Sequence, residues 1–370
     1  MLIHSLSPTH TTLLQLLRYA LCDNAEAPKI ATTPNWDEML KVAQKQGIAQ
    51  IVWHGIEKLQ QQGLIAGEHL PTKQTRLSWA YHNSRLVNRY EQQTGVITKL
   101  AKALHNESIN ILILKGYGLS LCYPHPEQRA CGDVDIWLIG NQELGNKLLE
   151  REFGVKVDDT KHIHTTFKLD GIMVENHFDF LNTHSHPSNR AINNTLKELA
   201  KESKAIRLGD ETIYIPSVKF HSLYLLRHAA SHFAAVEIAL RHIVDWAMFV
   251  ECHHAEIDWE WLREMARRYN MERFLDVTNS LAIELCGVDC RLVPNTTHHT
   301  ELARRILCDI LSPEFTKRQP QGGLLKVVGF KLRRWWAHRW KQRLVYSDTL
   351  VSIFLNQLWS HILKPNNLKK

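Results

Sequence analysis

Ile111–Leu138, ILILKGYGLSLCYPHPEQRACGDVDIWL, is the stretch on which the fold turns. Asn110–Leu114 is a β-branched and aliphatic run closed by glycines, which predicts a fully buried strand. Lys115-Gly116 follows at its C-terminal end, and Gly116 and Gly118 let the backbone approach a ligand closely. A helix starting near Leu119 would aim its N-terminal amides at an anion, and phosphate is the natural candidate. Beyond Pro124 and Pro126, Gly132–Leu138 alternates as a strand, so Asp133 and Asp135 share one face. Two carboxylates aligned in this way attract a hard divalent cation.

Taken in order, LKGYGLSLCYP, Arg129 and GDVDIWL resemble the uncharacterised nucleotidyltransferase-like family of the polymerase-β-type superfamily. That superfamily's pattern is a glycine turn, a helix, an Asp-hydrophobic-Asp strand and a third acid on a later strand. Val174–Phe178 (VENHF) is similar to the family's Glu-x-His strand, so the resemblance makes Glu175 the third carboxylate, with His177 beside it on the same strand face. Lys115-Gly116 stands where the wider superfamily has Gly-Ser or Gly-Gly. HAASH (His228–His232) and LRHIVDWA (Leu240–Ala247) resemble the family's helical region, so the likeness runs from Trp36 to Trp261.

The resemblance implies an α+β protein, with a small mixed β-sheet nucleotidyltransferase core flanked by N- and C-terminal helical regions. The implied reaction moves a nucleoside monophosphate from an NTP to a hydroxyl of an acceptor, which is a small molecule, a protein or an RNA, and releases pyrophosphate. Two Mg²⁺ ions, or Mn²⁺ in their place, are expected, both held by Asp133 and Asp135, with Glu175 completing the site that activates the acceptor. Lys115, Gly116, Arg129 and His177 are the expected nucleotide contacts, Lys115 as a compact cation and Arg129 as a bidentate phosphate ligand. Structural ion pairs are the alternative for both cations. His177 reads equally as a base, a carboxylate-orienting group or a structural histidine, and Asp179 is the third acid if the strand register is shifted. Because clustered carboxylates repel one another, Asp133→Asn and Asp135→Asn are each expected to abolish transfer and leave the fold intact. The same residues also fit a toxin–antitoxin-type nucleotidyltransferase acting on tRNA or protein, and a non-catalytic nucleotide-binding or scaffold protein. The presence of all three acids favours an enzyme.

At 370 residues, with 44% hydrophobic and 22% charged, the chain is long enough for two or three cores and its composition excludes wholesale disorder. Seven cysteines without CxxC spacing predict free thiols in a reducing cytoplasm rather than a disulfide framework or a zinc site. Cys286 and Cys290 read as buried helix residues. The N-terminus lacks the basic start and continuous apolar region of a signal peptide, and no segment has the length of a membrane span, so a cytoplasmic location is expected. Net charge is +7, and Lys326–Arg343 alone carries seven Lys/Arg and no acids. That segment interleaves its cations with Trp335, Trp336 and Trp340. It reads as a helix packed on the core, or as a contact with an anionic membrane surface or nucleic acid.

Along the chain, periodicity predicts an N-terminal helical region (1–105), the nucleotidyltransferase-like core (106–216), a C-terminal helical domain (217–312), and a linker with a basic, Trp-rich helical tail (313–370). Within the core, strands are expected over Thr165–Leu169 and, after a turn at Gly171, over Ile172–Phe180. A hairpin-like pair follows around Gly209-Asp210. Asn182–Asn194 reads as a loop available to the acceptor. Val218–Glu251 reads as one long helix or a broken pair. On it His228 and His232, four apart, form a structural pair, line the nucleotide pocket or ligate zinc, while Arg241 and Asp245 form an ion pair. Pro313–Gly323 is the clearest linker.

Overall fold

The computed structural model describes residues 6–30, 32–161, 163–184, 186–235, 237–315 and 324–363. Backbone contacts gather them into two compact units. One holds the described residues up to Trp79 with Leu226–His254 and Trp259–Leu350; the other holds Ala80–Leu225, Ala255–Asp258 and the described residues from Val351 onward. The N-terminal helices therefore share a unit with helices from the second half of the chain, a grouping that consecutive segments do not express.

The second unit is built on six strands: β1 Asn110–Ile113, β2 Asp133–Ile139, β3 His164–Leu169, β4 Ile172–His177, β5 Lys204–Leu208 and β6 Glu211–Ile215. They form one mixed sheet in the order β3-β4-β2-β1-β6-β5. Neighbours β1 and β2, β3 and β4, and β5 and β6 run antiparallel, while β2–β4 and β1–β6 run parallel. Alternation divides the residues between two faces. Ile111, Ile113, Val134, Ile136, Leu138, Phe167, Ile172 and Val174 bury against Val96, Ile97, Leu100 and Leu104 of the helix Lys73–His105 and Leu148 and Leu149 of the helix Gln142–Phe153. Each such aliphatic residue contributes about 1.5–3 kcal/mol when fully buried, which fixes which face is inside. The opposite face carries Asp133, Asp135, Glu175, His177 and His164.

One turn sets the register of the β3–β4 hairpin. Asp170 and Gly171 both have positive φ, 49° and 77°, as a two-residue type I′ connection requires. The pairing that follows sets His164 opposite His177 and Thr166 opposite Glu175. Asn182–Asn194, expected as loop, is helical from Asn189 to Leu199. The Asn193 side chain is recruited there to cap the chain that leaves the sheet: its Oδ1 accepts from the amides of Phe180 (2.8 Å) and Leu181 (3.2 Å).

The first unit is helical, with Pro8–Leu21, Trp36–Lys45, Ala49–Gln61, Leu240–His253, Trp259–Arg268, Glu272–Leu281, Thr300–Leu311 and Leu324–Val345 as its α-helices. Gln46 ties three of its segments together: Nε2 donates to the carbonyl of Ile310 (2.9 Å), and Oε1 accepts from the amide of Leu240 (2.8 Å). The Val218–Glu251 stretch is a broken pair, Val218–Ala235 and Leu240–His253. His228 and His232 stack at 4.4 Å between ring centroids, with His242 beside them. None of the seven cysteines forms a disulfide; Cys286 is buried, whereas Cys290 is exposed on a 3-10 turn. Among the described residues no helix is long and apolar enough to cross a membrane. Residues 316–323 of the expected linker lie outside the described residues.

The basic helix Leu324–Val345 does not display all its cations. Lys341 is fully buried and paired with Asp309 at 2.5 Å, Arg334 donates to the carbonyl of Ala235, and Trp340 packs edge-on against Phe233. Val328, Leu332 and Trp336, four residues apart, are exposed. A buried ion pair that loses one partner strands the other in a low dielectric, at a cost of about 3–5 kcal/mol. Lys341→Ala should therefore lower the thermal midpoint sharply, while Lys326→Ala, on an exposed residue, leaves it unchanged. Differential scanning calorimetry of both variants checks this, and equal midpoints would show that the pair does not hold the helix in place.

Candidate active site

Asp135 lies at the centre of the polar face. The parallel β2–β4 ladder pairs it with Glu175, and Asp133, two residues earlier, shares its face. Its carboxylate is almost wholly buried. Lys115 Nζ lies 3.3 Å and His177 Nε2 3.0 Å from the same oxygen, Oδ1. Burial opposes the carboxylate charge, but Lys115 and then His177 overcome it and hold the Asp135 carboxyl well below the usual range. Lys115 is the mirror case: burial disfavours its ammonium, and Asp135 foremost, with Tyr224, Asp133 and Glu175, holds its pKa above normal.

Glu175 is half-buried, and its pKa is raised by burial first and then by Asp135 and Asp133. His177 Nε2 and His164 Nδ1 approach its Oε2 at 3.7 and 3.6 Å. Burial, then the His177 ring, pushes His164 down to about 4. Tyr224, packed on Phe180, is pushed up to about 12, again mainly by burial.

The glycine turn reaches this cluster by close approach to the sheet. Gly116 has φ +61°, and a Cβ there would stand 3.0 Å from Cys131 Sγ and 3.5 Å from Asp135 Oδ2. A Cβ on Gly118 would meet the carbonyl oxygen of Ile113 at 2.8 Å. The helix that follows starts at Tyr117 rather than near Leu119, and it is a single turn ending at Ser120 with every residue buried. The short helix expected near Leu119 is thus present as a packed single turn that begins two residues earlier. The Tyr117 ring stacks on Tyr90 at 4.8 Å.

Of the residues singled out in the sequence, Lys115, Gly116, Asp133, Asp135, Glu175 and His177 are brought together. Arg129 is buried just after the 3-10 turn Pro126–Gln128. Asp179 belongs elsewhere: β4 ends at His177, and the Asp179 carboxylate accepts from Asn193 Nδ2 (2.7 Å) and pairs with Lys197 (2.6 Å). His164 is the residue that sequence reasoning passed over. The signal was present, since a two-residue Asp-Gly turn at 170–171 dictates that 164 faces 177.

The family model described as an uncharacterised nucleotidyltransferase matches residues 32–287. The chain belongs to this family. The matched span of the uncharacterised nucleotidyltransferase family includes the glycine turn, both aspartates, Glu175 and the His228–His232 helix. An antigenic nucleotidyltransferase-like protein from Paracoccidioides brasiliensis, solved by crystallography, is similar at 16% identity over 43% of this chain and 75% of that one, with a TM-score of 0.31. No curated protein matches the sequence.

The geometry separates the two aspartates, which repulsion alone would treat alike. Asp135→Asn removes the partner of a buried ammonium and should cost about 3–5 kcal/mol. Asp133→Asn removes a charge from a repulsive cluster and should leave stability unchanged or slightly higher. Urea denaturation of the two variants tests this; an Asp135→Asn protein as stable as the wild type would show that the Lys115 pair is not structural.

Proposed function

We propose that this protein transfers a nucleoside monophosphate from an NTP to an acceptor hydroxyl, releasing pyrophosphate. The observation that carries the reading is the register that sets Asp135 beside Glu175 with Asp133 on the same face, in a chain of the nucleotidyltransferase family. Asp133, Asp135 and Glu175 lie on one face of paired strands and offer the oxygen donors that a hard divalent cation takes. The Glu175 pKa is raised by burial and then by Asp135 and Asp133, and a bound cation would offset the part due to those two charges. Asp133, Asp135 and Glu175 would hold Mg²⁺, or Mn²⁺ in its place. When bound, such a cation supplies charge neutralisation at the triphosphate and activation of the attacking hydroxyl. Lys115 already places one positive charge against Asp135 Oδ1, so a second ion at that oxygen would have to displace the ammonium.

The chain's own groups then divide the remaining work. Lys115, held charged, attracts the triphosphate and balances the anionic cluster when the nucleotide leaves. His177 Nε2, 3.0 Å from Asp135 Oδ1, fixes the orientation of that carboxylate. Glu175, whose pKa is raised by burial and then by Asp135 and Asp133, takes the proton from the acceptor hydroxyl as that oxygen bonds to the α-phosphorus and the bond to pyrophosphate breaks. A second reading, a nucleotide-binding protein without turnover, is favoured by one observation: Lys115 and His177 both engage Asp135 Oδ1, a saturation that can stand in for a metal.

Purified full-length protein incubated with each labelled NTP, Mg²⁺ and a cell extract should pass label to an acceptor. Glu175→Gln should lower turnover by about 100- to 10,000-fold, the range for loss of a general base, while NTP affinity by calorimetry stays near wild type. Binding of NTP without label transfer in the wild type would select the non-catalytic reading. Near-normal turnover by Glu175→Gln would remove that residue from the chemistry.

A further inference from the structure

We propose that His164, Glu175 and His177 form a binding site for a single first-row transition-metal dication of the zinc class, distinct in chemistry from the hard-oxygen site of Asp133, Asp135 and Glu175. The three side chains come from adjacent strands. Antiparallel pairing sets His164 directly across from His177, and two-residue alternation puts Glu175 on the same face as both. One ligand atom from each lies within 4.8 Å of the others.

The separations are informative. His164 Nδ1 and His177 Nε2 stand 3.6 and 3.7 Å from Glu175 Oε2, beyond hydrogen-bond range. Metal–ligand bonds of about 2.0–2.2 Å in tetrahedral geometry put neighbouring ligand atoms about 3.3–3.6 Å apart, so an ion needs little movement to enter. His164 Nδ1 is buried, has no hydrogen-bond partner among the described residues and lies 3.6 Å from Glu175 Oε2. On His177, Nδ1 lies 3.3 Å from the carbonyl oxygen of Asp179 and Nε2 lies 3.0 Å from Asp135 Oδ1. Both partners only accept, and a neutral imidazole has one N–H. The tautomer with its N–H on Nδ1, toward Asp179, leaves on Nε2 the lone pair that a metal ligand requires. The contact to a backbone carbonyl is also the outer support that commonly orients a metal-ligating histidine.

Two imidazoles and one carboxylate favour zinc, cobalt, iron or manganese over magnesium, because nitrogen donors suit borderline ions and Mg²⁺ prefers oxygen and water. Three protein ligands leave a coordination position open, the arrangement of metal sites that act on a bound ligand rather than only hold a fold. The inference goes beyond the nucleotidyl-transfer reading and does not need it, since metal affinity is measured without any nucleotide.

The test uses metal-stripped full-length protein titrated with Co²⁺, read by its visible ligand-field bands, and with Zn²⁺ by competition. One Co²⁺ should bind per chain, be displaced by Zn²⁺, and resist millimolar Mg²⁺. His164→Ala should lower affinity by at least about 10-fold, since even loss of a supporting group around a metal costs that much. If transfer of label is absent but Co²⁺ binds in this way, the reaction assigned above falls and the metal site stands. Should His164→Ala fail to fold, X-ray absorption of the zinc-loaded wild type decides: two imidazoles in the coordination sphere support the site, and fewer overturn it. Wild-type protein that fails to bind Co²⁺ stoichiometrically, or a folded His164→Ala that binds as tightly as the wild type, also overturns it.

Discussion

A buried negative charge on Asp135 is the constraint around which the sheet unit is arranged. An ionised carboxylate at 2% exposure is tolerated only because an ammonium and an imidazole meet the same oxygen, and both must be delivered from outside its strand. Lys115 lies two residues past the end of β1, which pairs with β2, and His177 is the last residue of β4, which pairs with β2 on its other side. Strand order 4-2-1 is thus the order that lets one carboxylate be reached from both flanks. The positive φ and missing side chain at Gly116 follow from the same requirement, because the turn carrying Lys115 lies against that carboxylate.

This arrangement gives the two aspartates of a single short motif different work. Asp135 is interior, fixed and electrostatically compensated. Asp133 is half-exposed and shares its sheet face with Asp135 and Glu175. Glu175 lies between the two regimes: close enough to Asp135 to have its pKa raised, yet open enough to receive a ligand. On the proposed function, one acid would anchor the charges while another stays adjustable to an incoming cation. Lys115 keeps the cluster's charge in check in the absence of other cations.

The sheet was legible in the sequence where alternation is strict. GDVDIWL places its acids on one face and its aliphatics on the other, and β2 shows that division; the hairpin around Gly209-Asp210 likewise appears as β5 and β6. What local pattern could not supply was the pairing across strands. The Lys115–Asp135 pair depends on how closely a glycine turn approaches the next strand, and the deletion of side chains at Gly116 and Gly118 has no periodic signature. Asn193 was hidden for a similar reason: an asparagine in a polar run suggests a loop, and only the chain leaving β4, with two amides to satisfy, turns it into a capping group on a helix. Lys341 was misleading in the opposite sense, since a lysine among arginines and tryptophans suggests surface, and its burial rests on Asp309, more than thirty residues earlier.

The Asp170-Gly171 turn touches none of the polar residues described, yet it bears on what the family can vary. Strand side chains alternate, so adding or deleting one residue between Leu169 and Ile172 would rotate all of β3 relative to β4 and send His164 to the apolar face. Substitutions there are tolerated only where positive φ is kept at 170 and 171, and changes in the hairpin's length are costlier still. Relatives should diverge there in letters but keep the spacing from 164 to 177, and a relative with an altered spacing should have lost the histidine pair as well.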